Sequence, residues 1–96
     1  MGREKRTAQR SRHNSAIEIF DEGWNLIGLG RLVDYSTVGV SFAAAEHLVK
    51  HEKVRARLRL FDKGIKEVEG RVVWSRKDRN TTIYGVKFER VRDVQR

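Results

Sequence analysis

Two polar clusters in this sequence carry side chains suited to holding an anion that contains a purine. The first is Lys5-Arg6-Thr7-Ala8-Gln9-Arg10, in which two arginines stand four positions apart. A guanidinium is a planar fork that pairs bidentately with phosphate oxygens or with the O6/N7 edge of guanine, and its flat face stacks on a purine. The second is Asp34-x-Ser36-x-x-Gly39. Aspartate accepts from the donor edge of guanine, its N1–H and exocyclic amine, a serine hydroxyl serves a phosphate or a base, and a glycine lets a ligand approach the backbone closely. A basic patch alone reads phosphate, whereas an acidic reader of the base edge adds selectivity for the nucleobase. The competing account makes Asp34 and Ser36 caps of local backbone N–H groups in a turn, with Gly39 fitting a tight strand start.

Other chemistry finds less support. His47 and His51 stand four apart with Glu46 and Glu52 beside them, but the pattern is not H-E-x-x-H and no third ligand is placed, so no metal is expected. The chain has no cysteine, which excludes a thiol nucleophile, a disulfide framework and any Cys-ligated metal. There is no nucleophile elbow with a Ser–His–acid set and no P-loop, so the expectation is a binding protein without catalytic residues or a cofactor.

The elements that must position these clusters are short. Ninety-six residues allow one domain, and 39% hydrophobic against 35% charged residues gives one modest core under a charged surface. Lys+Arg 21 against Asp+Glu 13 leaves a net charge of +8 and favours an anionic partner: nucleic acid, a membrane surface or a phosphorylated small molecule. No apolar run is long enough to cross a membrane, and Met1–Asn14 holds no apolar segment of a secretory signal, so a cytoplasmic location is expected. Residues 1–14 contain Arg3, Lys5, Arg6, Arg10 and Arg12 against Glu4 alone and read as a flexible basic arm.

From Ser15 the pattern has period two. Ile17 and Ile19 share one face and Ala16, Glu18 and Phe20 the other, which predicts a strand ending at the turn Asp21-Glu22-Gly23. A second strand is expected over Trp24–Val33, and a third over Val38–Phe42 with Val38, Val40 and Phe42 in phase. Ala43–Glu52 has helical propensity, enough for one or two turns. Val54, Ala56, Leu58 and Leu60 then alternate with Arg55, Arg57 and Arg59, a half-buried strand with a basic outer stripe. The fifth strand, Lys66–Ser75, puts Val68, Val72 and Trp74 on one face, and the sixth, Thr81–Glu89, does so with Tyr84, Val86 and Phe88. Six strands with short connections predict an all-β fold, a small antiparallel barrel over residues 15–90. Residues 91–96 read as a tail or a short helix.

In its motifs the chain resembles the PilZ family, bacterial domains that bind the second messenger cyclic di-GMP. Arg6 and Arg10 match the family's RxxxR signature, and Asp34, Ser36 and Gly39 its Asp/Asn-x-Ser-x-x-Gly signature, with 23 positions between Arg10 and Asp34. Gly70-Arg71-Val72-Val73-Trp74 and Gly85-Val86-Lys87-Phe88 look like the family's closing strands. The resemblance implies a six-stranded split barrel with cyclic di-GMP on its outer face, clasped by the arm. It implies that Arg6 and Arg10 contact guanine edges and phosphates, that Asp34 and Ser36 address a guanine, and that Gly39 keeps the wall open. Trp74 would add an aromatic wall and Lys5 a further cation, and binding would order the arm and signal to a downstream effector protein. The alternatives are a basic barrel that binds RNA or single-stranded DNA, in the manner of OB-like domains, and a PilZ-like adaptor that binds no ligand.

Overall fold

Alternation decides the inner face first. Along Lys53–Leu60 every aliphatic residue is buried, Val54, Ala56, Leu58 and Leu60 being at most 6% exposed, while the arginines between them point outward. The computed structural model describes residues 15–60 and 64–94 and shows this segment as one of six strands. They are β1 (Ala16–Phe20), β2 (Leu26–Tyr35), β3 (Gly39–Ala44), β4 (Lys53–Leu60), β5 (Gly64–Asp78) and β6 (Thr81–Val94). All neighbours are antiparallel, and the sheet closes in the order β1-β2-β3-β6-β5-β4. The expected all-β barrel is therefore the fold. The arm that carries Lys5, Arg6 and Arg10 lies outside the described residues.

The barrel's interior is filled from every strand. Ile17 and Ile19, Leu32, Phe42, Leu58, Val72 and Tyr84 are all at most 2% exposed, and the Phe42 and Tyr84 rings meet with centroids 5.8 Å apart. Gly30 has no side chain because the space is taken: a Cβ there would stand 2.7 Å from the Ala43 carbonyl.

Several expectations change. Ala43–Glu52 forms no helix, because Ala43 and Ala44 complete β3 between β2 and β6, opposite Arg31 and Gly30 on one side and Ile83 and Thr82 on the other. Tertiary pairing outweighs alanine's helical propensity. The remainder of that segment is a loop fixed by side chains. The Tyr84 hydroxyl donates to the Glu46 carbonyl at 2.7 Å and accepts from Leu48 N at 3.0 Å, and the Glu52 carboxylate accepts from Val49 N at 2.8 Å.

At the C-terminal end β6 runs through to Val94 where a tail or short helix was expected, Val91 lying opposite Val68 and Val94 opposite Ile65. Phe20 keeps the outer face expected for it, opposite Arg55, and is buried there because Trp24 packs on its ring at 5.1 Å and the Arg57 guanidinium stands 5.3 Å from it. The second strand begins at Leu26 rather than Trp24, which sits in the turn with a φ of 63° and packs on Phe20. Val38 lies outside β3 and is 66% exposed.

Candidate functional site

The Asp34–Gly39 cluster is the connection from β2 to β3. Tyr35 and Val40 pair across it, and Ser36 N donates to the Gly39 carbonyl at 2.9 Å. The Ser36 hydroxyl accepts from Val38 N at 3.2 Å, and Asp34 Oδ1 accepts from Tyr35 N at 2.9 Å. Part of the turn-capping account is thus present. It uses one oxygen of Asp34 and leaves Oδ2 without a hydrogen bond among the described residues. Gly39 has a packing role of its own: a Cβ would stand 2.6 Å from the Val86 carbonyl, so only glycine lets β3 approach β6 this closely.

Two β-bulges turn side chains onto the outer surface around this corner. Leu32 pairs with Phe42 and Asp34 with Ser41, so Val33 is the extra residue on β2. Val72 pairs with Val86 and Trp74 with Gly85, so Val73 is the extra residue on β5. By simple alternation Asp34 would follow buried Leu32 inward and Trp74 would follow buried Val72. Each inserted residue reverses that parity. Asp34 is exposed, and Trp74, which the alternation of β5 puts with the core residues Val68 and Val72, is 43% exposed.

The two re-aimed residues fall on one line across the sheet. Asp34 is opposite Ser41, Ser41 opposite Gly85, and Gly85 opposite Trp74. The indole lies against Gly85, where a Cβ would overlap its Nε1 and Cε2 atoms, and the Arg76 guanidinium stands 5.9 Å from the ring centroid. Between these strands is an open groove of about 340 Å³, lined among others by Asp34, Ser36, Gly39, Ser41, Trp74 and Lys87. It offers a carboxylate acceptor, two hydroxyls, an aromatic wall and, at Lys87, an exposed cation with no ion pair among the described residues.

The structure thus brings together Asp34, Ser36, Gly39 and Trp74 of the expected site residues. Arg6, Arg10 and Lys5 fall outside the described residues. Ser41 and Lys87 were missed. Their signal was the outward parity of β3 and β6, Lys87 pairing with Gly39, but it is readable only once the register is known. No group of three or more His, Asp or Glu residues able to hold a metal is present among the described residues.

The basic stripe of β4 has a different setting from a nucleic-acid surface. Arg55 pairs with Glu69 at 2.6 Å, Arg57 with Glu67 at 2.9 Å, and Arg57 and Arg59 approach Glu18 at 3.6 and 3.7 Å. The exposed aromatics are also separated, Trp24 standing by Phe20 and Arg55 and Trp74 on Gly85.

Comparison with protein families gives a match to the PilZ domain over residues 4–96, a span that includes both motifs. Comparison with curated proteins gives no match.

Proposed function

Since the chain belongs to the PilZ domain family, whose members are cyclic di-GMP receptors, we propose that it binds cyclic di-GMP in the groove beside Asp34 and Trp74. The observation that supports this reading is the convergence of the Asp34 carboxylate, the Ser36 turn and the Trp74 indole on one outer groove, with Lys87 at its side. The free oxygen of Asp34 accepts from the N1–H and amine of a guanine, and Trp74 offers its ring to a purine face. Ser36 addresses the same guanine as Asp34, and Lys87 serves a phosphate. Arg6 and Arg10, from the arm, contribute bidentate contacts to phosphate or guanine and close the ligand from outside, with Lys5 extending the row. Gly39 acts through the strand spacing that shapes the groove.

No bond in the ligand is made or broken. Fixing residues 3–12 against the barrel costs conformational entropy, which is subtracted from the contact energy, and the new arm position presents a surface to a downstream effector in a bacterial cytoplasm. Calorimetry with cyclic di-GMP, GTP and an oligonucleotide tests the reading. Tight binding is expected for cyclic di-GMP alone, and Arg6→Ala/Arg10→Ala should abolish it with the thermal unfolding transition unchanged. Oligonucleotide binding with a steep salt dependence and indifference to cyclic di-GMP would overturn it.

A further inference from the structure

Beyond Phe88, β6 parts from β3. Their pairing ends with Lys87 opposite Gly39, and the last backbone bond on that side runs from Phe88 N to the Val38 carbonyl at 2.9 Å. Glu89 is the extra residue of a bulge, and from Arg90 to Val94 the strand is paired only on its β5 side among the described residues. Its other side presents a row of backbone N–H and C=O groups, the feature to which an extended peptide adds a strand.

The side chains along this edge specify what such a peptide carries. On the outer face the charges alternate across the sheet. Glu18, Arg57, Glu67 and Arg92 form one row through β1, β4, β5 and β6, and Arg55, Glu69 and Arg90 form the row beside it. Both rows end at the free edge on an arginine. The side chains of Arg90 and Arg92 are 79% and 71% exposed, whereas those of Glu69 and Glu67 are 16% and 11% exposed, so each terminal guanidinium keeps N–H donors for a further acceptor. On the opposite face and between the two arginines, Val91 is 43% exposed next to buried Val68.

We infer that the free edge of β6 is a docking site for an extended partner segment of the pattern acidic, apolar, acidic, which joins the sheet as a seventh strand. Its two carboxylates continue the charge rows at Arg90 and Arg92, and the apolar residue between them covers Val91. A second copy of this edge does not satisfy the pattern. Antiparallel self-pairing centred on Val91 sets Arg90 of each copy against Arg92 of the other, a like-charge pair on both sides of the centre. A nucleic-acid strand is disfavoured because its sugar–phosphate backbone has no alternating N–H and C=O groups to pair with the open strand edge. The site uses strand residues past the groove and none of the groups assigned to cyclic di-GMP, so the two readings fail separately.

The test is fluorescence anisotropy of the labelled peptide Thr-Thr-Glu-Val-Glu-Thr-Thr with the full chain, beside an analogue with lysine for glutamate, one N-methylated along one backbone edge, and an oligothymidine. Binding of the glutamate peptide alone is expected, with slowed amide exchange within Glu89–Val94. Arg90→Gln/Arg92→Gln should weaken it about tenfold, two exposed charge pairs' worth. The exchange measurement on the wild-type chain decides the matter should that variant lose its fold. The inference is overturned if the N-methylated or lysine peptide binds equally well, if the oligothymidine binds through the arginines in place of the peptide, or if no peptide binds.

Discussion

The indole of Trp74 and the carboxylate of Asp34 reach the outer groove from positions that strict strand alternation would hide. Asp34 gives one oxygen to the Tyr35 amide and has no hydrogen bond to the other among the described residues, while the Trp74 indole fills the space that a Cβ at Gly85 would need. A stacked base is worth about 1–3 kcal/mol by truncation of the aromatic. Trp74→Ala is therefore expected to lower cyclic di-GMP affinity by about tenfold or more in calorimetry, with the melting temperature little changed because the side chain is half exposed. In a Trp24→Phe background the remaining tryptophan emission should change on titration with the ligand. Unchanged affinity in Trp74→Ala would remove the aromatic wall from the site. Asp34, Ser36 and Gly39 were legible as a polar corner because their chemistry is written in residue type and spacing. The line that joins them to Ser41 and Trp74 was not, since it exists only across strands.

At the level of elements, two single-residue insertions decide what faces the groove. Val33 on β2 and Val73 on β5 have no partner across the ladder, and each shifts the parity of the residues after it. Neither insertion has a residue-type signature. Valine suits a regular strand as well as a bulge, so periodicity alone put Trp74 with Val72 in the core. The same limit explains the missing helix at Ala43–Glu52, whose first two residues are claimed by neighbours on both sides. Gly39 illustrates how a motif residue can act through packing. Gly39→Ala places a methyl group against the Val86 carbonyl, and chemical denaturation should show a loss of about 1–3 kcal/mol, the usual cost of overpacking. If stability is unchanged while binding falls, the glycine's contribution lies in direct ligand approach instead.

For the molecule as a whole, residues 1–14 carry four of the eight excess positive charges, and cations of the described barrel stand in two settings. Arg55, Arg57, Arg90 and Arg92 are interleaved with Glu18, Glu67 and Glu69 on one outer face, while a cation at Lys87 lies on the groove. Glu67 sits where the rows are tightest: the hydrogen bond from Arg92, followed by that from Arg57, holds its carboxyl below the ordinary glutamate value. The unfolded chain thus takes up this proton at higher pH than the folded one. The stabilisation is complete above the ordinary glutamate value of about 4.3 and is lost as pH falls through the lowered one. Melting temperature followed from neutral pH to pH 3 should fall on this acid limb, and Glu67→Gln should flatten that fall by removing the titrating group. An unaltered acid limb would show that other carboxylates carry it. The sequence by itself determined the strand count, the barrel and the chemistry of the polar corner, because periodicity, turn residues and side-chain type are local properties. Only the tertiary structure decided which strands are neighbours, where the bulges reverse the faces and which arginines are already paired, because each of these depends on the register between segments far apart in the chain.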